Sequence, residues 1–379
     1  MWLVNGNVYM AEQGFCKKDL LLRNGIIERI VPQGERAGEA CPQDMETVDV
    51  QGAAILPGLV DIHFHGCAGH DFCEGTKEAF DAIEQYELRH GITNISPATM
   101  TLPAEQLSAI CTAAAEYAKG SECLKGIYLE GPFLSEAKKG AQNSAYLRLP
   151  NADLLHKLNT QAQGLIKIVA IAPEQEGAIA CIETCAEQFR FSVAHTTADY
   201  RTCAEAMQKG AREVTHLYNA MLPFTHREPG VIGAAFDHGA DVELISDGVH
   251  VDACAVRVAF QLFGEEHVIL ISDSMMAAGM PDGMYELGGQ AVTVCGKRAV
   301  LADQTIAGSV TNLYDCMVTA IRMGIRPESA VRAATKNPAA AIGIDADYGS
   351  IEVGKKADLL VVNGDWELQR VYKHGREVS

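Results

Sequence analysis

The chain has 379 residues, enough for two or three average domains or for one barrel of about 250 residues with a smaller companion. With 48% hydrophobic and 21% charged residues its composition is that of a globular protein, far from the disordered regime. Its 31 basic and 49 acidic residues leave a formal net charge of −18, a field that repels nucleic acid and anionic lipid, so neither is an expected partner. No run approaches the roughly 18 consecutive apolar residues of a membrane-spanning helix. The opening residues 1–7 have neither a basic segment nor a long apolar one. Twelve cysteines are dilute for a disulfide-stapled fold and form no CxxC pair, and Cys181 and Cys185 read as small buried residues of a helix. The expectation is a cytoplasmic protein with reduced thiols, neither secreted nor embedded in a membrane.

In chain order, the first fifty residues alternate short β-type runs at 2–4, 20–22 and 26–31 with the turn signals Asn5-Gly6-Asn7 and Asn24-Gly25, predicting a small antiparallel sheet. From Gly52 the texture changes to short apolar runs, each followed by a helical pattern, as in βα units around a parallel sheet. Eight such runs occur, at 59–63, 92–98, 126–130, 166–172, 191–195, 214–217, 242–246 and 268–272. Helical patterns between them include 78–90, 104–119, 177–189, 198–209 and 252–263. Eight strand-then-helix units predict an α/β protein built on a (β/α)8 TIM barrel. A hairpin insertion is expected at 285–301, helix again at 310–323, and β texture from 348 onward, at 359–362 and 370–372. Neither terminal β segment has enough apolar surface to stand alone, so residues 1–51 and 346–379 should pair into one discontinuous domain beside a barrel of 52–345.

Barrel strands converge at their C-terminal ends, so residues far apart in sequence meet at one mouth. His63 and His65 end the first strand as an HxH pair, and strand alternation puts both on one face. Glu130 ends the third strand, His195 the fifth, His216 the sixth, and Asp273 closes the eighth. Glu130, His195 and His216 make three ligands with a fourth position open, the composition of a catalytic metal site and not of a closed structural one. His63 and His65 would complete a second, adjacent site bridged by Glu130; the plain alternative is that the HxH pair only lines the barrel end. Histidine and carboxylate ligands without cysteine suit Zn(II), Fe(II) or Mn(II). Asn219-Ala220, His226-Arg227 and His250 follow the sixth and seventh strands. Cationic donors gathered there in an otherwise acidic protein point to an anionic group on the substrate. With no GxGxxG or GxxxxGK[ST] motif, a nucleotide phosphate is not expected.

These segments resemble, in order and from end to end, the N-acetylglucosamine-6-phosphate deacetylase family of the amidohydrolase superfamily. PGLVDIHFHG (57–66) is similar to the first-strand metal motif, LEGPF (129–133) to the glutamate ligand segment, and VAHTTA (193–198) and VTHLYNAM (214–221) to the two histidine segments. HREPG (226–230), SDGVHVD (246–252) and SDSMMAAGMPDG (272–283) follow, and the tail NPAAAIG with GSIEVGKKADLLVV resembles the general superfamily ending. The resemblance implies a TIM barrel with a small β-sandwich from both chain ends, a homodimer, and one or two divalent ions per chain, zinc first among them. It implies that Glu130, His195 and His216 hold the main metal, that Asp273 is the acid/base, and that Asn219, Ala220, Arg227 and His250 hold the sugar phosphate. In KKGAQNS, Gln142 stands where many members carry a substrate-polarising histidine; it can donate a hydrogen bond to a developing oxyanion but cannot become cationic. The intact HFH, whose first histidine some members lack, points to two ions.

The implied reaction is metal-assisted hydrolysis of N-acetyl-D-glucosamine 6-phosphate to D-glucosamine 6-phosphate and acetate. The galacto epimer is the nearest alternative substrate, since no motif reads the one hydroxyl that differs. A cyclic-amide hydrolase with a carboxylated lysine on the fourth strand fits less well, because residues 166–172 run into Ala-Pro. A non-catalytic scaffold relative should lack a ligand or the acid, and Glu130, His195, His216 and Asp273 are all present.

Overall fold

Six parallel strands follow one another in sequence order across one sheet: Ile127–Leu129, Ile166–Ile171, Arg190–Val193, Ala211–Val214, Asp241–Ile245 and Val268–Ile271. This computed structural model describes residues 1–35 and 46–378. Two further strands, Leu59–Asp61 and Ile92–Ile95, pair in parallel with each other. Parallel bridges from Ile95 to Leu124 and from Ala98 to Tyr128 join that pair to the third strand. On its other side, Asp273 N donates to His63 O at 2.9 Å and His65 N to Ser274 O at 2.7 Å, so the parallel sheet curls until its last strand meets its first. Each of the eight expected runs overlaps one of these strands, but the sixth, 214–217, does so only at Val214, because Arg212 and Glu213 interrupt the apolar pattern of the strand Ala211–Val214.

Alternation along the strands divides the core into two layers. Ile168, Ala170, Ile245, Ile269, Ile271 and Tyr128 face inward and form one buried cluster. Their sequence neighbours Val169, Ile171, Val242, Leu244, Val268 and Leu270 face the surrounding helices in a larger one. Burial on both faces explains why these strands read as continuous apolar runs. Side-chain caps start five of the helices: Thr76 before Lys77–Arg89, Asn151 before Ala152–Gln161, Asp199 before Tyr200–Gln208, Asp252 before Ala253–Phe263 and Asn312 before Leu313–Arg322. Each accepts a backbone N–H that the first helical turn leaves unpaired.

Some elements differ from expectation. The helix expected over 177–189 stops at Cys185, and its last residues turn into the next strand. Helices at Gly230–His238 and Pro327–Ala334 lack a side-chain cap, which is why no start signal of that kind marked them. The hairpin insertion has three strands, Gly283–Leu287, Gln290–Cys295 and Arg298–Val300.

Strands from both chain ends form one mixed sheet in the order Arg376–Glu377, Leu368–Lys373, Leu359–Val362, Ala54–Pro57, Trp2–Met10, Gly14–Arg23, Ile26–Pro32, with Thr47–Asp49 alongside Trp2–Met10. Instead of being antiparallel throughout, it pairs Trp2–Met10 in parallel with Thr47–Asp49 and Ala54–Pro57. The sheet therefore takes in residues beyond the expected border at 51. At Gly6 the sheet is closely packed: a Cβ there would lie 2.5 Å from Ile55 Cδ1, and that side chain would have to shift. A buried ion pair ties the sheet to the second parallel strand: Lys373 Nζ donates to Asp358 Oδ2 at 2.7 Å and to Thr93 O at 2.8 Å, while Asn94 Nδ2 donates to the same Asp358 oxygen at 3.2 Å.

Candidate functional site

Three residues of the mouth share one local device. His195, His216 and Asp273 each stand two residues past the end of a parallel strand, with φ of 43°, 30° and 47°. Non-glycine residues seldom adopt this left-handed conformation, at a strain of about 1–3 kcal/mol each, and it persists only where the surroundings impose it. Here it turns the chain out of the strand and brings each side chain over the open end of the sheet. Glu130 follows its strand directly.

All four candidate imidazoles converge on Glu130. Its Oε1 lies 3.0 Å from His195 Nε2, 3.3 Å from His216 Nε2 and 3.5 Å from His63 Nε2, and its Oε2 lies 3.2 Å from His65 Nε2. Asp273 Oδ1 is 3.4 Å from His65 Nε2. The carbonyl of Lys138 can only accept, so at 2.8 Å from His195 Nδ1 it fixes the ring proton there and leaves Nε2 with a lone pair. That lone pair faces both Glu130 and His216 Nε2, 3.1 Å away. His63 donates through Nδ1 to Glu243 Oε2 at 2.8 Å, and its buried Nε2 has no hydrogen-bond partner among the described residues. Acceptors crowded this closely repel unless a proton or a cation stands among them. Two sets of three, His63 with His65 and Glu130, and Glu130 with His195 and His216, each bring their ligand atoms within 4.8 Å of one another, a donor set fitted to a divalent cation.

The electrostatics agree. Burial alone would raise Glu130, but the His63 charge and the imidazoles of His195 and His216 close around it hold it well below the usual carboxylate range. Burial would lower His65, yet hydrogen bonds and charges of Asp273 and Glu130 push it up to about 10. Asp273 is lowered: burial acts against this, and the His65 hydrogen bond with the charges of His63 and His65 prevails. Protons held this firmly must leave when a metal binds, so metal affinity rises with pH.

The mouth opens into a cleft of about 350 Å³. His65, Glu130, Gln142, His195, His216, Asn219, Ala220, His250 and Asp273 line it, with Met100, Leu287 and Ile306 as an apolar wall. His63 sits beneath, fully buried. His250 is held through Nδ1 by Asp247 Oδ2 at 2.8 Å; burial lowers its pKa, but that bond and the Asp247 charge raise it overall. Gln142 is already engaged at both ends of its amide, accepting from Thr101 N and donating to Glu130 Oε2, both at 2.7 Å. Arg227 lies apart, exposed on the loop after the sixth strand and not lining the cleft. The residues that sequence reasoning missed are supports: Glu243 behind His63, the Lys138 carbonyl behind His195 and Asp247 behind His250. Only Glu243 carried a signal, an acid inside the apolar run of the seventh strand.

A curled parallel sheet with histidines and a shared glutamate at its carboxyl end defines a metal-dependent hydrolase of the amidohydrolase type. Residues 54–378 match the amidohydrolase family, and the chain belongs to it. It is 38% identical over 348 residues to the N-acetylglucosamine-6-phosphate deacetylase of Bacillus subtilis (strain 168), covering 86% of each chain. It is 31% identical over 378 residues to the N-acetylgalactosamine-6-phosphate deacetylase of Escherichia coli O157:H7, covering 98% of this chain and 97% of that one. Its structure is similar to that of a mutant N-acetyl-D-glucosamine-6-phosphate deacetylase from Mycobacterium smegmatis in complex with N-acetyl-D-glucosamine-6-phosphate, with TM-score 0.92, 30% identity and coverage of 100% and 98%. No helix among the described residues is long and apolar enough to cross a membrane.

Proposed function

We propose that this protein hydrolyses the acetamide of N-acetyl-D-glucosamine 6-phosphate to D-glucosamine 6-phosphate and acetate, a step of amino-sugar catabolism or recycling. One observation carries the reading: Glu130 is shared by two histidine pairs, with the Asp273 carboxylate beside His65, at the head of a cleft that also presents His250, Asn219 and Ala220. Glu130, His195 and His216 would hold a first divalent cation and His63, His65 and Glu130 a second, zinc being the first expectation. Such a cation supplies Lewis acidity, lowering the pKa of water toward about 7 and polarising the amide carbonyl. Asp273 takes the proton of the attacking water and returns it to the amide nitrogen, because an amine leaves badly as an anion. Gln142 keeps Glu130 oriented and offers its second N–H to the carbonyl oxygen. The apolar wall of Met100, Leu287 and Ile306 accepts the less polar parts of the substrate, and His250 with Asn219 and Ala220 accepts the phosphate.

The same proposal takes the curled sheet as a closed (β/α)8 barrel over 52–345 and the chain ends 1–51 and 346–379 as a β-sandwich domain. The place of Ala54–Pro57 in the terminal sheet favours a border a few residues later. It takes the protein as a cytoplasmic homodimer in which Arg227, exposed in one protomer, reaches the phosphate in its partner. The relative from E. coli O157:H7 supports a second reading in which the galacto epimer is the substrate. Acetate release from the two sugar phosphates side by side, with metal content measured on the same sample, tests both. Faster release from the gluco epimer is expected; faster release from the galacto epimer favours the second reading, and release from neither defeats both.

A further inference from the structure

Glu243 lies in the strand Asp241–Ile245, where Val242 and Leu244 face the helices and Glu243 faces inward, completely buried. One of its oxygens, Oε2, accepts two hydrogen bonds, from His63 Nδ1 at 2.8 Å and from the backbone N–H of His216 at 3.2 Å. Those partners belong to different halves of the candidate metal centre. A carboxylate at Nδ1 keeps the ring proton on that side, leaving the Nε2 lone pair of His63 directed toward Glu130. The bond to His216 anchors the residue with the most constrained of the three backbone turns described above, at φ 30°. On the adjacent strand, Glu213 Oε2 pairs with Arg190, and Arg190 also pairs with Asp241.

We propose that Glu243 is the positioning residue of the whole centre, fixing the ring orientation of His63 and the backbone of His216 with one oxygen. This rests on the reading that these histidines with Glu130 hold divalent cations. The test is zinc binding by chelator-stripped wild type, Glu243→Met and Glu243→Gln, read by competition with a chromophoric chelator, with thermal denaturation to confirm folding. Glu243→Met should lose about 10- to 100-fold in affinity at each site the wild type fills, as removal of a ligand's supporting partner does. Glu243→Gln, whose amide oxygen still accepts both bonds, should stay within about tenfold of wild type. A folded Glu243→Met that binds zinc like the wild type overturns the proposal. An equal loss in both variants also overturns it, by assigning the effect to charge and not to position. Independently of any variant, histidine-¹⁵N spectra of zinc-loaded wild type should show His63 protonated at Nδ1, and coordination through Nδ1 defeats the assignment. A wild type that takes no zinc sinks the reading of the centre itself, whereas zinc binding that Glu243→Met leaves intact sinks only the role of Glu243.

Discussion

The two ends of the parallel strands handle buried charge in opposite ways. At the amino ends, opposite charges close on one another: Arg190 with Glu213 and Asp241, and Lys373 with Asp358. At the carboxyl ends, four imidazoles crowd around Glu130, with the Asp273 carboxylate against one of them. A buried polar group left unresolved costs about 1–3 kcal/mol, more when charged, so the first end is arranged for stability and the second keeps an arrangement that firmly held protons or a bound cation must satisfy. In barrel enzymes this is the expected division, with chemistry on the carboxyl face.

The largest effect that would break the comparison is at Asp273. Asn fills the same space but cannot accept and return a proton at neutral pH. Asp273→Asn should leave folding, metal content and substrate binding intact while kcat falls by about 10²- to 10⁴-fold. Near-normal turnover in that variant would make Asp273 a structural residue and erase the distinction between the two ends. The mirror experiment is Asp358→Ala. It strands the Lys373 ammonium in the core and should lower unfolding free energy by about 3–5 kcal/mol in denaturant titrations, with kcat unchanged. Adding Lys373→Met to remove the orphaned charge should recover part of that loss. A drop in kcat as large as the drop in stability would show that the two ends are coupled.

The carboxyl end was legible in sequence because chemistry there is written in unusual residues at strand ends: HxH, the glutamate after an apolar run, and histidines two residues past Val193 and Val214. Most of the eight strands were legible because burial on both faces keeps polar residues few in them; Ala211–Val214, which carries Arg212 and Glu213, was expected three residues too late. The amino end was not. Asp358 and Lys373 sit in β segments where a charge reads as a solvent-facing position, and their partners Thr93 and Asn94 are over 260 residues away in sequence. Sequence pattern carries no information about such a pairing. Glu243 fell between these cases, visible as an acid in an apolar strand but with nothing to say that two histidine segments would meet on it. Parallel pairing within the terminal sheet was missed for a related reason, since turn signals predict hairpins and a parallel neighbour arrives from farther along the chain.

Arg227 sharpens the comparison with the smallest effect. It lies on the carboxyl-side loop yet is exposed, and no acidic partner is recorded for it among the described residues. If it serves the phosphate in a partner protomer, its charge is resolved by assembly and substrate together, a third way of handling a cation that neither end of the strands uses. A charged hydrogen bond to an anion is worth about 1.5–3 kcal/mol, so Arg227→Ala should raise KM roughly 10- to 150-fold. Because the phosphate is remote from the amide, the contact is the same in ground and transition states and kcat should hardly change. Mixing separates the two placements of the residue. A dimer of one Asp273→Asn and one Arg227→Ala protomer has one intact site if Arg227 acts across the interface, and none if it acts within its own chain. Random reassociation of the two variants, each feeble at low substrate concentration, should then restore about a quarter of wild-type activity under that condition. Activity that stays at the level of the separate variants would place Arg227 in its own chain's site or outside catalysis, and an unchanged KM in Arg227→Ala would move the phosphate contact to His250 and its neighbours.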